Sequence, residues 1–588
     1  MKKYALRDPI PQDIDERLKI YHPLVRALLY ARGISDVEAS QQFLSPDYDK
    51  HVHDPYLLKD MKKVVERILK AIKNNEKIGI YSDYDADGIP GAVILHDFFK
   101  KINYNNFVNY IPLRNEEGFG LNHEAIDLLA EGGVKLLITI DCGITDVEQV
   151  ETAEKHGIDV IITDHHIPGK KLPKAFAIIN PKQKGCQYPE KMLCGAGVIF
   201  KVIQALIKSR KFEWKDGQEK WMLDMVGLAT LSDMVPLLGE NRIFSYYGMK
   251  VLQKSPRAGL QKLFSLLRIN QNTATEDDVA FMITPRINAA SRMGIPKDAF
   301  TLLSTIDEVE AGVLAQHLNN KNDERKGVVG SMIKEIKKRI DERFGDMSAQ
   351  GGSALGGKHV LVFGNPEWKP SLLGLVANSF SDEHNRPVFF WGREGSNGSA
   401  IIKGSCRAGG DTDVVALMEK AKDVFVDYGG HKGAGGFSVA QENIHILESR
   451  LNEAFLELTK EHKITEDTLI DKKLSLNDVD WDTYSSVEKF APFGLNNPKP
   501  LFLFENITVV GMKLFGKEQN HLELKFSARG GSASSGKNSD VTAIAFFSNG
   551  DKFPVPIKVG SNINLVATLE KSTFRNFPEL RLRIVDIF

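Results

Sequence analysis

Residues 77–88 have the sequence KIGIYSDYDADG, in which a short apolar run leads into three alternating aspartates. The run is predicted to be a buried β-strand. It follows residues 61–74, where apolar side chains recur every three or four positions and predict an amphipathic helix. Further strand-like runs lie at 136–140, 160–163 and 177–180, with helical stretches between them. This alternation predicts an α/β fold in which helices cover a parallel sheet.

Acidic and histidine residues directly follow three of these predicted strands. They are Asp83, Asp85 and Asp87, then Asp141, then Asp164, His165 and His166. Ligands of open α/β sheets bind beyond the carboxyl ends of the strands, so these side chains are expected to meet there. Asp233 adds a further acid after an apolar helix. Carboxylate oxygen and imidazole nitrogen suit Mn²⁺ first and Mg²⁺ second, and two such ions hydrolyse a phosphoester without a covalent intermediate.

Two other interpretations of the aspartates are weaker. An EF-hand calcium loop opens in the same way, but it needs Glu at its twelfth position, which is Ile94 here, and it follows a helix instead of a strand. Aspartates also occur in turns and helix N-caps, which would explain Asp141 taken alone. The recurrence of acids and histidines after successive strands favours the metal site.

The rest of the chain divides by composition and periodicity. The predicted units are an N-terminal segment at 1–60, the α/β domain at 61–240, a helical region with a long connecting helix at 241–347, a smaller α/β domain at 358–460, and a C-terminal β-barrel of the OB-fold type at 465–588. Val329, Ile333, Ile336 and Ile340 mark one face of the connecting helix. Small residues at 348–357 have the composition of a flexible linker.

Composition narrows the class of protein. A chain of 588 residues is too long for one hydrophobic core, and 42% hydrophobic with 26% charged residues is typical of globular domains. The net formal charge of −1 gives no bulk attraction for nucleic acid, so any DNA-binding surface must be a local patch. Four cysteines without a C-x-x-C pair favour a reducing compartment. With no secretory signal or long apolar run, we expect a cytoplasmic protein without a membrane segment.

Four segments, in this order and strand context, resemble the successive motifs of the DHH phosphoesterase superfamily. They are residues 83–88 (DYDADG), 140–143 (IDCG), 164–166 (DHH) and 232–236 (SDMVP). Residues 111–121, 285–292 and 318–325 resemble the bacterial RecJ family of exonucleases in particular. Residues 404–407, 431–436 and 492–498 resemble the DHHA1 domain of that family and its junction to an OB-fold. Tyr81 stands where many superfamily members have histidine, and Asn496 where glycine is common.

The resemblance implies a set of site residues. The implied ligands of two divalent ions are Asp83, Asp85, Asp87, Asp141, His165 and Asp233, with Asp141 bridging. Asp141, His165 and His166 are the implied catalytic residues, and His166 would contact the scissile phosphate or support the ligands. Phosphate contacts are implied for Arg114, Arg286, Ser405 and Arg407. Backbone amides around His431, Lys432, Gly433, Gly435 and Gly436 are expected to hold a backbone phosphate, with a plain turn-rich loop as the alternative.

The resemblance also implies an activity. The chain is expected to degrade single-stranded DNA 5′→3′ to mononucleotides in DNA repair and recombination, as a monomer alongside a DNA helicase and a single-strand-binding protein. Phe574 and Phe577, on a predicted hairpin, would stack on bases or pack in the core. Two alternatives stay open: a DHH phosphodiesterase of nanoRNA or cyclic dinucleotides, which are usually shorter proteins, and a non-catalytic DNA-binding replication factor, which would not need the full set of ligands.

Overall fold

The computed structural model describes residues 4–344, 358–393, 401–459, 468–516, 519–527, 540–548, 550, 553–572 and 577–588. The expected linker at 348–357 and Phe574 lie outside these residues. The chain begins with β1 (Tyr4–Leu6), α1 (Gln12–Arg17), α2 (Pro23–Tyr30), α3 (Val37–Leu44) and α4 (Tyr48–His51). No helix within the described ranges is both long and apolar enough to cross a membrane.

A five-stranded parallel sheet organises the next region. Its elements are α5 (Met61–Lys73), β2 (Lys77–Ser82), α6 (Gly88–Lys101), β3 (Phe107–Tyr110), α7 (His123–Glu131), β4 (Val134–Ile140), α8 (Val147–Lys155), β5 (Asp159–Thr163), β6 (Ala177–Ile179), α9 (Gly195–Lys208) and α10 (Leu223–Ser232). The strand order is β3-β2-β4-β5-β6. The predicted parallel α/β sheet is confirmed. The sequence missed β3, an edge strand whose four residues are all only half-buried and therefore lack an apolar run.

Successive residues of the central strands point into two different cores. Ile138 packs with α5, α6 and α9 on one face, while its neighbour Leu137 packs with α7 and α8 on the other. Both side chains are fully buried. A strand covered on both faces is apolar at nearly every position, which explains the almost continuous apolar runs in the sequence.

A helical region leads from this sheet to the second α/β domain. It contains α11 (Gly239–Leu252), α12 (Ala258–Leu266), α13 (Thr284–Met293), α14 (Pro296–Ser304) and α15 (Glu308–Phe344). The apolar face predicted for the connecting helix is buried along α15, where Ile336 and Ile340 pack against Leu361 and Phe363 of the next domain. The connecting helix is therefore confirmed, and its apolar stripe holds the second domain in place.

The second α/β domain has a five-stranded mixed sheet. Its elements are β7 (Leu361–Gly364), α16 (Pro370–His384), β8 (Val388–Gly392), β9 (Ile401–Arg407), α17 (Val414–Lys420), β10 (Phe425–His431), β11 (Ala434–Ala440) and α18 (Leu447–Thr459). The order is β10-β11-β9-β8-β7, in which only the β7–β8 pair is parallel.

The last domain is a small closed barrel. Its elements are β12 (Thr468–Ile470), β13 (Lys472–Lys473), α19 (Trp481–Glu488), β14 (Phe502–Phe515), β15 (His521–Ser527), β16 (Asp540–Ala545), β17 (Asn562–Ser572) and β18 (Glu579–Ile587). Pairing of β14 with β17 closes the sheet. Leu522, Leu524 and Phe526 alternate along β15 and are fully buried inside, which confirms the OB-type barrel.

Residues near the N-terminus pack on this barrel domain and form no separate unit. Strand β1 pairs in parallel with β12. Leu24 and Leu28 of α2 are buried in one core with Phe490 and the barrel. Arg32 donates hydrogen bonds to Asn497 Oδ1 at 2.7 Å and to the Pro498 carbonyl at 2.8 Å. The first part of the segment 1–60 is thus joined to the far end of the chain, whereas Tyr48 and Leu58 are buried in the core of the first α/β domain.

Candidate metal centre

Backbone hydrogen bonds align three acids, Asp83, Asp141 and Asp164, each of which directly follows the last residue of its strand. The amide of Asp83 donates to the Ile140 carbonyl, that of Asp141 to Thr163, and that of Asp164 to Ile179, at 2.9–3.1 Å. Because neighbouring parallel strands end together, side chains far apart in sequence converge at the carboxyl edge of the sheet. Asp233 reaches the same edge from the end of α10.

Three groups of side chains there have possible ligand atoms within 4.8 Å of one another. The groups are Asp83, Asp85 and Asp141; Asp87, His165 and Asp233; and Asp141, His165 and His166. The Nε2 atom of His165 lies 3.0 Å from Asp141 Oδ1 and 3.7 Å from one oxygen each of Asp87 and Asp233. The structure therefore brings together all six residues implied as metal ligands, and Asp141 is shared between groups, as a bridging ligand must be.

Helix α9 begins against this cluster and fixes Asp87. The amides of Gly195 and Ala196 donate to the two carboxylate oxygens of Asp87 at 2.6 and 2.8 Å. A Cβ atom at position 195 would lie 2.5 Å from the Cβ of Asp141, so only glycine fits there. The first turn of a helix offers unpaired amides that suit an anion. Both acids are thus held rigidly at the site.

Asp164 orients the histidine pair without joining the ligand groups. Its Oδ1 accepts from the amides of His165 and His166 and lies 2.8 Å from His166 Nδ1, and its Oδ2 accepts from the Ile144 amide. Burial alone would raise the pKa of Asp164, but these hydrogen bonds and the charge of His166 lower it. An ionised Asp164 therefore anchors His166 through Nδ1, which directs the opposite ring nitrogen away from the anchor.

The donor set fits divalent ions. Asp83 Oδ1 and Asp141 Oδ1 are buried, yet neither accepts a hydrogen bond, although His165 Nε2 is close to the latter. A buried carboxylate oxygen without a donor is costly, and a hard cation removes that cost. Asp141 also has a left-handed backbone, with φ of +63°, which aspartate tolerates better than most residues. Oxygen-rich groups sharing one carboxylate suit two Mn²⁺ or Mg²⁺ ions.

The electrostatics of the carboxylate cluster also indicate that it binds cations. Burial, followed by repulsion between neighbouring carboxylates, raises the pKa of Asp87 to about 7 and that of Asp233 to about 9. The same causes raise the pKa values of Asp83 and Asp141. Burial lowers the pKa of His165 to about 3, so its ring is neutral and able to bind a metal.

We expect the metal-free protein to lose stability as pH rises from about 6 to 9. Asp87 and Asp233 have pKa values of about 7 and 9 in the fold, above the usual value of 3.8, so the folded state binds more protons than the unfolded chain over this range. The free energy of unfolding then falls with pH. Thermal unfolding in EDTA should show a falling melting temperature, by ~2–4 °C per kcal/mol lost.

A control variant separates this effect from general alkaline instability. Asp233→Asn should reduce the slope, because one of the repelling carboxylates is removed. Added Mn²⁺ should raise the melting temperature of the wild type more at pH 9 than at pH 6, since the ions bind the deprotonated site. A metal-free melting temperature that rose between these pH values would contradict the assignment.

The residues implied in phosphate binding fall into three places. Arg114 lies with its guanidinium 5.0 Å from the centre of the Tyr84 ring, next to the aspartate loop. Arg407 donates to Ser405 Oγ at 3.1 Å, and both lie against Gly374 of α16. Arg286 is nearly buried and uses its donors on Asn319 and the Met282 carbonyl within the helical region. Its contacts indicate a supporting role for Arg286.

Arg292 is a residue that the sequence patterns did not single out. Burial, together with the nearby charges of Arg114 and Arg325, lowers the pKa of Arg292 to about 9. Arg292 also donates a short hydrogen bond to the Ser371 carbonyl at the start of α16. A half-buried group of like charges between the aspartate loop and the second domain indicates an anion site. The sequence signal that could have identified Arg292 is its position in residues 285–292, the RecJ-like stretch that also contains Arg286.

The glycine-rich stretch is a β-hairpin, which corrects the expectation of converging loop amides. Gly435 and Gly436 lie in β11 and pair with Gly430 and Gly429 of β10 on one side and with β9 on the other. Amides engaged in a ladder are not available as an anion nest. His431, Lys432 and Gly433 form the exposed tip of the hairpin, and the last two lie outside the paired strands.

The comparisons with known families cover most of the chain in three parts. Residues 77–230 match the DHH family, N-terminal domain, residues 356–460 match the DHHA1 domain, and residues 470–586 match the RecJ OB domain. The order of these matches agrees with the two α/β domains and the barrel described above.

Whole-chain relatives agree with these matches. A protein named "Single-stranded-DNA-specific exonuclease RecJ" from Bacillus subtilis (strain 168) is 33% identical over 98% of this chain and 69% of its own length. A protein of the same name from Haemophilus influenzae is 27% identical over 99% of both chains. The crystal structure of RecJ with Mn²⁺ from Thermus thermophilus has the same fold, with a TM-score of 0.79 at 23% identity over 100% of this chain and 79% of that one. A manganese-bound exonuclease RecJ structure has a TM-score of 0.56 at 29% identity over 67% of this chain and 94% of that one.

Proposed function

This chain belongs to the RecJ family of single-stranded-DNA-specific exonucleases, and from that membership we propose that its metal centre removes mononucleotides from single-stranded DNA in the 5′→3′ direction. The observation that carries the proposal is the carboxylate cluster with two buried, unsatisfied oxygens at the sheet edge. We propose Mn²⁺ or Mg²⁺ as the bound ions. The manganese-bound RecJ structure supports this choice. When bound, two such ions activate water and stabilise the charge on the leaving oxygen.

We assign roles to the residues of the chain around those ions. Asp83 and Asp85 would hold one ion, and Asp87, His165 and Asp233 the other, with Asp141 between them. His166 would contact the scissile phosphate, because Asp164 occupies its Nδ1 atom and raises its pKa, which favours a proton on the other nitrogen. A protonated ring can donate to a phosphate oxygen.

The arginines would bind the 5′ end of the strand. Arg114, Ser405 and Arg407, together with Arg292, are proposed to hold the terminal phosphate. Arg286, which also joins α13 to α15 through Asn319, is proposed to contact a nearby backbone phosphate. Guanidinium groups make bidentate, charge-assisted contacts with phosphate. His431 and Lys432, at the exposed hairpin tip, are proposed to contact the backbone farther along the strand. Such contacts give affinity with little sequence preference.

Several finer parts of the proposal rest on family membership alone. We propose that the protein acts in the cytoplasm, as a monomer, in DNA repair and recombination, alongside a DNA helicase and a single-strand-binding protein. We also propose domain limits of 61–240, 241–347, 358–460 and 465–588. Residues 1–60 are proposed as an N-terminal segment, which shares one core with the barrel through Leu24 and Leu28 and another with the first α/β domain through Tyr48 and Leu58.

A single assay tests the activity and its direction. The full chain is incubated with Mn²⁺ and a 5′-phosphorylated single-stranded DNA labelled at its 3′ end, beside the duplex form and a dinucleotide. We expect a ladder of progressively shorter labelled strands from the single-stranded form alone. Immediate release of the label would contradict the direction. Cleavage of the dinucleotide with intact DNA would replace the proposal with a small-substrate phosphodiesterase.

A further inference from the structure

Phe119 is an exposed aromatic side chain in contact with the metal centre. Its ring centre lies 5.5 Å from that of His166, with the planes 70° apart, and the residue is 51% exposed. Single exposed apolar residues are common on proteins and need no explanation in general. This one is unusual in its place, because it covers the histidine proposed to contact the scissile phosphate.

The loop that carries Phe119 is built to hold it there. The flanking residues Gly118 and Gly120 have φ values of +81° and +84°, which favour glycine. The hydroxyl of Tyr81, which is fully buried, donates to the Gly120 carbonyl at 2.8 Å. Asp146 accepts from the Leu121 amide at 2.7 Å and would lie 2.6 Å from a Cβ atom at position 120. The exposure of Phe119 is therefore a fixed feature of the loop.

Other apolar side chains adjoin the proposed ligands. Ile167 directly follows His166 and is 63% exposed, and Met234 directly follows Asp233 and is 68% exposed. Met234 also has a left-handed backbone, with φ of +55°, which is an uncommon conformation for a residue of its type. A cation site surrounded by aromatic and apolar side chains suits a ligand that contains both a phosphate group and a planar aromatic ring.

We propose that Phe119 stacks on the base of the 5′-terminal nucleotide whose phosphodiester link is cleaved. The inference rests on the proposed function and extends it to a residue that positions the substrate. Aromatic stacking works with all bases, because each has a π-face, and so gives no sequence preference. The site would thereby require a base without selecting which one.

Two oligonucleotides test the proposal. They are 5′-phosphorylated and identical, except that one has an abasic residue at the 5′-terminal position, and the rate of the first cleavage is measured in single turnover with Mn²⁺. The wild type should cut the abasic strand about tenfold more slowly. Phe119→Ala should cut both strands at similar, slow rates, and Phe119→Trp should restore the difference.

Controls separate stacking from a structural role. Leu128→Ala removes an exposed apolar side chain from α7, the helix after the loop, and should keep the tenfold difference. The Mn²⁺-induced rise in melting temperature should be the same for Phe119→Ala and the wild type, as expected of an intact metal centre. If Phe119→Ala slowed both strands but kept the tenfold ratio, the ring would only support His166, and the stacking proposal would fall.

The outcomes also distinguish this inference from the proposed function. A wild type that cut both oligonucleotides at equal rates would remain an exonuclease, and only the stacking would be refuted. A wild type that cut neither strand would refute the exonuclease activity and the stacking together.

Discussion

Asp141→Asn is expected to reduce hydrolysis of single-stranded DNA at least about a thousandfold, a loss of ~4 kcal/mol in transition-state stabilisation. Asp141 belongs to two of the three ligand groups, and its Oδ1 atom accepts no hydrogen bond from the protein. An amide has one oxygen in place of two and no negative charge, so it cannot bridge two cations. The measurement is the rate of shortening of a 3′-labelled strand.

The same variant should fold at least as well as the wild type without metal. Burial, followed by the neighbouring carboxylates, raises the pKa of Asp141, so a neutral side chain at this position relieves both unfavourable effects. Its melting temperature in EDTA should be equal or higher, while the rise caused by Mn²⁺ should be lost. Asp127→Asn, which changes an exposed acid paired with His156 on the same domain, should behave like the wild type. More than a tenth of wild-type activity in Asp141→Asn would refute the bridging role.

Arg407→Ala is expected to remove the preference for a 5′-phosphate. The rate constant kcat/KM on 5′-phosphorylated DNA should fall about a hundredfold, or ~2.7 kcal/mol, since a charge-assisted pair is lost. On DNA with a 5′-hydroxyl the fall should be only a few-fold, because that strand offers Arg407 no terminal phosphate. Both substrates are compared in one competition assay.

Arg450→Ala is the matched control. Arg450 lies on the same domain and pairs at the surface with Asp423 and Glu453, so its loss should leave both rates unchanged. Equal losses on the two substrates in Arg407→Ala would mean that this arginine supports the fold or the whole strand and does not read the terminal phosphate. Circular dichroism and the Mn²⁺-induced melting shift would show which of these applies.

The metal centre could be predicted because its signal is local. Each buried strand has an apolar run, and the acid that follows it must lie at the sheet edge. Arg292 and Phe119 could not be found in this way, since their significance depends on neighbours brought close only by folding: Arg114 for the first and His166 for the second. The backbone preference of asparagine explains one departure from the family pattern. Asn496, where glycine is common in the family, has φ of +60°, which asparagine tolerates.

The hairpin and the N-terminal segment show where sequence patterns were insufficient. Glycines favour turns, yet those at 435 and 436 lie in a central strand, because neighbours on both sides supply their hydrogen bonds. Leu24 and Leu28 of α2 pack on a partner that lies more than four hundred residues later in the chain, which no local sequence pattern can indicate.

Joining the first residues to the last has a consequence for synthesis on the ribosome. Strand β1 and helix α2 emerge early, but β12 and the barrel that cover them are made roughly 20 to 90 seconds later, at about 5–20 residues per second. During that interval Leu24, Val25, Leu28 and Leu29 have no core to enter. Chaperones that shield apolar segments of nascent chains should therefore bind here, and a premature stop before residue 468 should leave a product that aggregates through this surface.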